Sequence, residues 1–289
     1  MKYAWEARCA LFSKKMNEEY PAHPTPNGRQ GKSQTNAAHP LKLVFFNLPP
    51  EFDPLLLPAN RSPRRNGQLP YRFRGDPSAK HALEALGVPH TEVARLQVDG
   101  RPAGLGHLLH DGERLLVESA ESPASLPRPT PGEPVRFVAD NHLGKLVTYL
   151  RLLGFDCLYE PDLEDETLAS ISSEQQRVLL TRDRQLLMRR IVEYGCWVRS
   201  KTPEEQVRQV LRRYDLFSQI QPFLRCLRCN HLLEPVAKEL ILDRLEPLTR
   251  RYYDDFRRCP HCDQIYWAGS HYDHMRQFID QVLRDGAKN

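Results

Sequence analysis

VRFVADNHLGKLVTYLRLLGFDCLY, residues 135–159, is the stretch from which the fold can be read. VRFVAD (135–140) is a mostly apolar strand ending in an acid. HLGKLVTYLRLLG (142–154) places Leu143, Leu146, Val147, Leu150 and Leu153 at helical spacing and stops at Gly154. FDCLY (155–159) is the next strand. The rhythm continues downstream: DETLASISSEQQ (165–176) predicts a helix, RVLLT (177–181) a strand, DRQLLMRRIVEYG (183–195) a helix closed by glycine, and CWVRS (196–200) a strand. TPEEQVRQVLRRYDL (202–216) opens with Thr202 as a cap, Pro203 at the first helical position and Glu205 three after the cap. Strands alternating with helices at this interval predict an α/β domain with a parallel sheet, whose binding edge lies at the carboxyl ends of the strands.

That edge collects acids. Asp140 follows the first strand, Asp183 follows the third, and Asp165 starts the intervening helix between Glu164 and Glu166. Carboxylates converging on one edge repel one another, and a hard divalent cation, Mg2+ or Mn2+, relieves the repulsion through oxygen ligands and waters. Such an ion beside a phosphodiester can activate water and stabilise the leaving oxygen. Asp at helix starts also serves as a plain cap, and the residue pattern leaves both readings open. Arg177, Arg182, Arg184, Arg189 and Arg190 crowd the third acid, and Asn141 and His142 follow the first, so a polyanion substrate fits the surroundings.

Upstream, LKLVFFNL (41–48) and YRFR (71–74) are strand candidates separated by a polar stretch that includes an Arg/Pro-rich loop at 58–68. PSAKHALEALG (77–87) is a short helix closed by Gly87, VARLQVDG (93–100) an alternating strand ending in a turn, and ERLLVES (113–119) a strand after the Asp111-Gly112 turn. This is the element order of a small mixed-sheet domain. Residues 1–40 have the Pro, Gly and Asn of a disordered leader, and SPASLPRPTPGEP (122–134) that of a linker. The expected division is leader 1–40, first domain 41–120, linker 121–134, parallel-sheet core 135–220, and a cysteine-bearing module with a last helix at 221–289. No apolar run is long enough for a membrane span and no signal-peptide core is present, so a cytoplasmic location is expected. Lys plus Arg is 41 against 37 for Asp plus Glu, which excludes binding to nucleic acid by bulk charge; any such surface must come from clustering.

Cys226-x-x-Cys229 and Cys259-x-x-Cys262 are the ligand spacing of a closed, tetrahedral structural Zn2+ site. His231 and His261 are displaced from that spacing and are expected beside the site. Around it, Arg225, Arg228, Arg250, Arg251, Arg257 and Arg258 intermix with Tyr252, Tyr253, Phe256, Tyr266 and Trp267. Bases interleaved with aromatics can grip a single strand, although Tyr266 and Trp267 can equally fill the module's own core. His271, on the last helix, is a candidate substrate contact or a packed histidine.

The runs FVADNHLGKLVTYLRLLGFD (137–156), DETLASISSEQQRVLLTRDRQLL (165–187), RCLRCN (225–230) and FRRCPHCDQIYWAGSHYDHM (256–275) together resemble the Mut7-C RNase domain, a PIN-like nuclease fold with a zinc ribbon behind its catalytic core. Residues 41–120 are similar to the ubiquitin-like, β-grasp domain that precedes it. The resemblance implies a metal-dependent ribonuclease fold with Asp140, Asp165 and Asp183 at its acidic positions, which are expected to hold catalytic Mg2+ or Mn2+ beside the structural Zn2+. Read with it, Arg182, Arg184, Asn141, Trp267 and His271 are the residues expected on the RNA side. RNA is the implied partner, with a protein partner possible for the ubiquitin-like domain. That domain ends in Val117-Glu118-Ser119-Ala120 and runs into the linker, so it lacks the Gly-Gly terminus of a sulfur carrier. A non-catalytic RNA-binding or ribosome-associated adaptor is the alternative. A small-molecule phosphoryl-transfer enzyme is disfavoured, because Asp140-Asn141-His142 lacks a second Asp two positions on and no Gly-rich phosphate loop follows a strand.

Overall fold

The computed structural model describes residues 40–60, 67–120, 129 and 133–286, with no side-chain description at 270–274. Residues 1–39 of the expected leader, residues 61–66 of the Arg/Pro-rich loop and most of the expected linker lie outside the described residues.

The amino-terminal domain is β1 (Lys42–Asn47), β2 (Gln68–Phe73), α1 (Ala79–Leu86), β3 (Val93–Val98), β4 (Arg101–Ala103) and β5 (Arg114–Ser119). Its strands lie in the order β2-β1-β5-β3-β4, with β1 and β5 parallel at the centre and the other pairs antiparallel. This is a β-grasp arrangement. Helix α1 starts where Ser78 Oγ accepts from the His81 amide at 3.2 Å, stops at Gly87 with φ +105°, and buries Ala79, Ala82, Leu83 and Leu86 against the sheet. Strand β4 has no counterpart among the strands expected from the sequence, since Pro102 at its middle argues against a strand. It is tolerated because β4 is outermost.

The second domain runs β6 (Phe137–Ala139), α2 (Gly144–Leu152), β7 (Cys157–Leu158), α3 (Asp165–Glu174), β8 (Val178–Thr181), α4 (Arg184–Leu187), β9 (Gly195–Trp197) and α5 (Pro203–Tyr214). All strand pairs are parallel, in the order β7-β6-β8-β9. Both faces are covered, which is why the strands read as nearly continuous apolar runs. Phe137, Leu180 and Cys196 face a core shared with Leu146, Leu150, Val207 and Leu211, whereas Val138 and Leu179 face Leu168, Leu187 and Val192.

Two local expectations change. The helix predicted over 183–195 covers only Arg184–Leu187, because Val192 drops into the core and its carbonyl lies 2.7 Å from His90 Nε2 of the first domain; Gly195 opens β9 instead of closing a helix. Thr202 occupies the cap position of α5 without a side-chain cap bond, and Glu205 turns to Arg208 Nη1 at 2.6 Å. At Gly154 (φ +96°) a Cβ would clash with Gln221 O, so glycine is required there on both counts.

Beyond α5, β10 (Glu234–Val236), α6 (Pro247–Tyr252), β11 (Phe256–Arg258) and β12 (Ile265–Trp267) form an antiparallel ribbon over a small core of Ile241, Leu245, Phe256 and Ile265. Helix α7 (Ser270–Gly286) returns to the parallel-sheet domain, burying Ile279 and Val282 in its core and accepting Arg208 Nε at Asp285 Oδ2, 2.7 Å.

The β-grasp domain packs on β9, the outermost strand of the parallel sheet. Glu92, fully buried, accepts from the Trp197 amide at 2.9 Å and from Arg213 Nη1 at 2.8 Å. Arg213 Nη2 also donates to Thr91 O (2.8 Å) and Gly195 O (3.0 Å), and the Trp197 ring packs against the cores of both domains.

Candidate functional site

Strand β6 is followed in sequence by β7 on one side of it and then by β8 on the other, so the order in which strands are added to the sheet reverses between β6 and β8. In an open parallel sheet the crevice at such a reversal, outside the carboxyl ends of the strands, is where ligands bind. Asp140 and Asp183 both lie there. Asp140 follows β6 and is nearly buried; its Oδ1 accepts from the Asn141 amide at 2.6 Å and its Oδ2 from Thr181 Oγ1 at 2.6 Å. Asp183 caps α4, with Oδ1 accepting from the Gln185 amide at 2.7 Å, while its own amide donates to Thr181 Oγ1 at 2.9 Å. One buried hydroxyl therefore ties the two acids together. Thr181 was not singled out in the sequence; its place two residues before Asp183 at a strand end was the available signal.

Asp165 sits across an adjoining cleft of about 630 Å³ whose walls include Asn141, Asp162, Glu164, Asp165, Glu166 and Arg189. Its Oδ2 is 4.0 Å from Arg189 Nη2, and both side chains are exposed. Asn141 thus belongs both to the Asp140 turn and to the cleft. Among the described residues, Asp140, Asp165 and Asp183 are not one of the groups whose ligand atoms all lie within 4.8 Å of one another. The donor set still suits Mg2+ or Mn2+, which keep several waters and need only one or two direct carboxylates.

The arginines divide. Arg182 is exposed, with Nη1 donating to Ser200 O at 3.4 Å. Arg184 turns away toward the β-grasp domain, donating to Leu55 O at 2.6 Å and lying 5.9 Å from the Trp197 ring. Trp267, on β12, is 39% exposed and remains open to a ligand, whereas its neighbour Tyr266 points inward. His271 lies on α7, and its side chain is outside the described residues.

The four cysteines come together: Cys226, Cys229, Cys259 and Cys262 have all their sulfurs within 4.8 Å, with Sγ pairs 3.5 Å (226 and 262) and 3.3 Å (229 and 259) apart. These separations are too long for disulfides and of the order found between thiolates on one Zn2+. The Tyr266 hydroxyl accepts from the Leu227 amide and lies 3.1 Å from Cys226 Sγ. Burial pushes the Cys226 thiol up, but this hydroxyl and the nearby backbone amides outweigh it and bring the thiol to about 7. His231 and His261 stack beside the cluster, ring centroids 4.0 Å apart.

Residues outside the Cys pattern fasten this knuckle to the parallel-sheet domain. Asn230 (φ +71°) accepts from the Cys157 amide at 3.1 Å and donates to Asp156 Oδ1 at 2.8 Å. Arg151, buried in α2, donates to Leu227 O and Arg228 O at 3.0 and 2.9 Å and to Cys157 O at 3.0 Å. Arg177 holds Asp156 at 2.7 Å. The Asn directly after the second Cys of the first pair was the sequence signal for this dock.

Both domains match a known family. The Mut7-C ubiquitin model matches residues 43–124, and the Mut7-C RNAse domain model matches residues 135–279. Among curated proteins and among solved structures, nothing matches this chain. With a β-grasp domain, a PIN-like parallel sheet and a four-cysteine cluster in that order, and the RNase match covering half its length, the chain belongs to the Mut7-C RNase domain family.

Proposed function

We propose that this protein is a ribonuclease that hydrolyses RNA phosphodiesters with Mg2+ or Mn2+ held by Asp140 and Asp183, with Asp165, Glu164 or Glu166 completing the set from the cleft. The observation that carries the reading is the pair of acids joined through Thr181 at the carboxyl ends of β6 and β8. When bound, the cation supplies activation of water and neutralises charge on the phosphate. Thr181 fixes the Asp140 carboxylate and the Asp183 backbone relative to each other, so the acids are presented without rotamer search. Asn141, between the buried acid and the cleft, can orient a substrate oxygen, and Arg182 and Arg189 offer exposed guanidiniums to phosphates. Arg184 serves by holding α4 against the β-grasp domain. The four-cysteine set takes Zn2+ as a structural ion that folds the ribbon. The β-grasp domain acts as a docked scaffold that can also receive a protein partner, and not as a conjugated carrier. No described helix is long and apolar enough to cross a membrane. The cytoplasm is the compartment this reading assigns.

A second reading is a non-catalytic RNA-binding or ribosome-associated adaptor. It is favoured by the outer side of the ribbon, where Tyr252 is 65% exposed beneath Arg251 at 5.5 Å and Trp267 is also open. The deciding experiment compares wild type with Asp183→Asn on single-stranded and structured RNA, with Mg2+ or Mn2+, checking folding and zinc content of both. Cleavage by wild type and its loss in the folded variant support the nuclease. No cleavage by wild type, or equal cleavage by the variant, overturns it and favours the adaptor.

A further inference from the structure

The β-grasp domain carries a cluster that neither the nuclease site nor the cysteine cluster uses. His107 Nε2 lies 3.0 and 3.1 Å from the two carboxylate oxygens of Glu113, and His110 Nδ1 lies 3.1 Å from Oε1. One ligand atom from each of the three residues falls within 4.8 Å of the others. Around an ion with bonds of about 2.0–2.2 Å, neighbouring N and O ligands stand about 3–3.5 Å apart, so the donors are already near ligand spacing.

The chain holds this arrangement rigidly. All three residues lie on the connection from β4 to β5, whose backbone is pinned on two sides. Toward α1, the Ala79 amide donates to His107 O at 2.8 Å and the Leu109 amide to Pro77 O at 2.9 Å; toward β1, the Gly112 amide donates to Leu43 O at 2.8 Å. Leu109, between the histidines, is fully buried and anchors the turn. The His110 amide donates to Glu113 Oε2 at 2.9 Å, fixing the carboxylate's rotamer. Glu113 is 14% exposed and His107 27%, whereas His110 at 69% leaves the outer side open.

We propose that His107, His110 and Glu113 bind a divalent transition-metal ion of borderline softness, with Zn2+ as the representative ion. Two imidazoles and one carboxylate select such ions over Mg2+, which prefers oxygen alone. Three protein ligands leave at least one coordination position for water or an outside donor, unlike the closed four-cysteine set. The site is independent of RNA cleavage: its ligands belong to the other domain and it does not need the acids of the nuclease crevice. The plain alternative is that both imidazoles simply donate N–H to Glu113 and no ion enters.

The test titrates Zn2+ by calorimetry into the full chain already carrying one zinc at its cysteines, in excess Mg2+ to occupy oxygen-only sites. Wild type should take up one further Zn2+. Glu113→Gln and His107→Gln/His110→Gln should weaken that uptake at least tenfold, and His231→Gln/His261→Gln, beside the cysteines, should leave it unchanged. His110→Gln, altering only the most exposed ligand, guards against misfolding and should weaken uptake while keeping the melting temperature of the protein that carries zinc at its cysteines alone. Absence of a second Zn2+ in wild type, retention of it by His107→Gln/His110→Gln, or its loss only in His231→Gln/His261→Gln would overturn the proposal.

Discussion

Replacing Glu92 by Ala should cost more stability than any substitution on the protein's surface. The Glu92 side chain is 1% exposed and its partner Arg213 2%, with Nη1 and Oε2 2.8 Å apart. Burial by itself opposes the charged guanidinium, but Glu92 beside it holds the Arg213 pKa well above its ordinary value. Truncation leaves the charged Arg213 guanidinium in the interior with the Thr91 and Gly195 carbonyls and the face of the Tyr214 ring, takes from Arg199 the carboxylate it approaches at 3.4 Å, and strips the Trp197 amide of its acceptor. Removing one partner of a buried pair costs about 3–5 kcal/mol. At about 2–4 °C per kcal/mol for a unit of this size, the melting temperature should fall by about 6–20 °C. Guanidinium unfolding followed by far-ultraviolet circular dichroism gives the free energy directly. Glu92→Gln keeps an acceptor for the Trp197 amide and isolates the charge contribution, while Glu92→Met with Arg213→Leu removes the stranded charge and should recover part of the loss, the Trp197 amide still lacking its acceptor. If Glu92→Ala and Glu92→Gln both stay within about 1 kcal/mol of wild type, the pair does not secure the domain contact and the assigned role is refuted.

Three further outcomes follow from the same contacts. Gly154→Ala places a side chain at φ +96° against Gln221 O and should destabilise by roughly 2–5 kcal/mol, adding about 1–2 for the left-handed backbone to about 1–3 for overpacking, as read by thermal unfolding. Asn230→Ala removes the ties to Asp156 and Cys157 and should lower zinc affinity roughly 10–100-fold in a chelator competition, with the cysteines intact. Asp156 has its pKa lowered: burial opposes ionisation, but the Arg177, Asn230 and Arg225 contacts outweigh it. Its contribution is therefore fully present above the ordinary carboxylate value of about 3.9 and is lost as pH falls through the lower folded value. Asp156→Asn should flatten the acid limb of a stability-versus-pH curve, and an unchanged limb would refute the assignment.

What could be read in advance depended on how local the signal was. The parallel strands of the RNase domain were legible because a sheet buried on both faces leaves unbroken apolar runs, and the Cys pairs because metal spacing is set within four residues. The placement of Asp140 and Asp183 at strand ends followed from the alternation of strands and helices. Thr181 as their link did not, since a threonine ending a strand looks like any other until its neighbour across the sheet is known. Arg184 reads as a phosphate contact beside Asp183, yet Leu55, distant in sequence, claims it. The helix expected after Asp183 stops at Leu187 for a similar reason: its local pattern continues as helical, but His90 and the core take Val192 first.

The way β9 is finished bears on whether the two domains can be separated. Its outward amide at Trp197 is taken by a carboxylate of the β-grasp domain, and its outward carbonyl at Gly195 by the arginine that carboxylate neutralises. Deleting the amino-terminal domain would leave the Trp197 amide without its acceptor while Gly195 O keeps Arg213 of α5, so the apolar strand would be open at that amide to edge-to-edge pairing with further copies. Removing the amino-terminal domain should therefore favour aggregation, and the smallest well-behaved fragment that carries the RNase domain should begin before β1, not at β6.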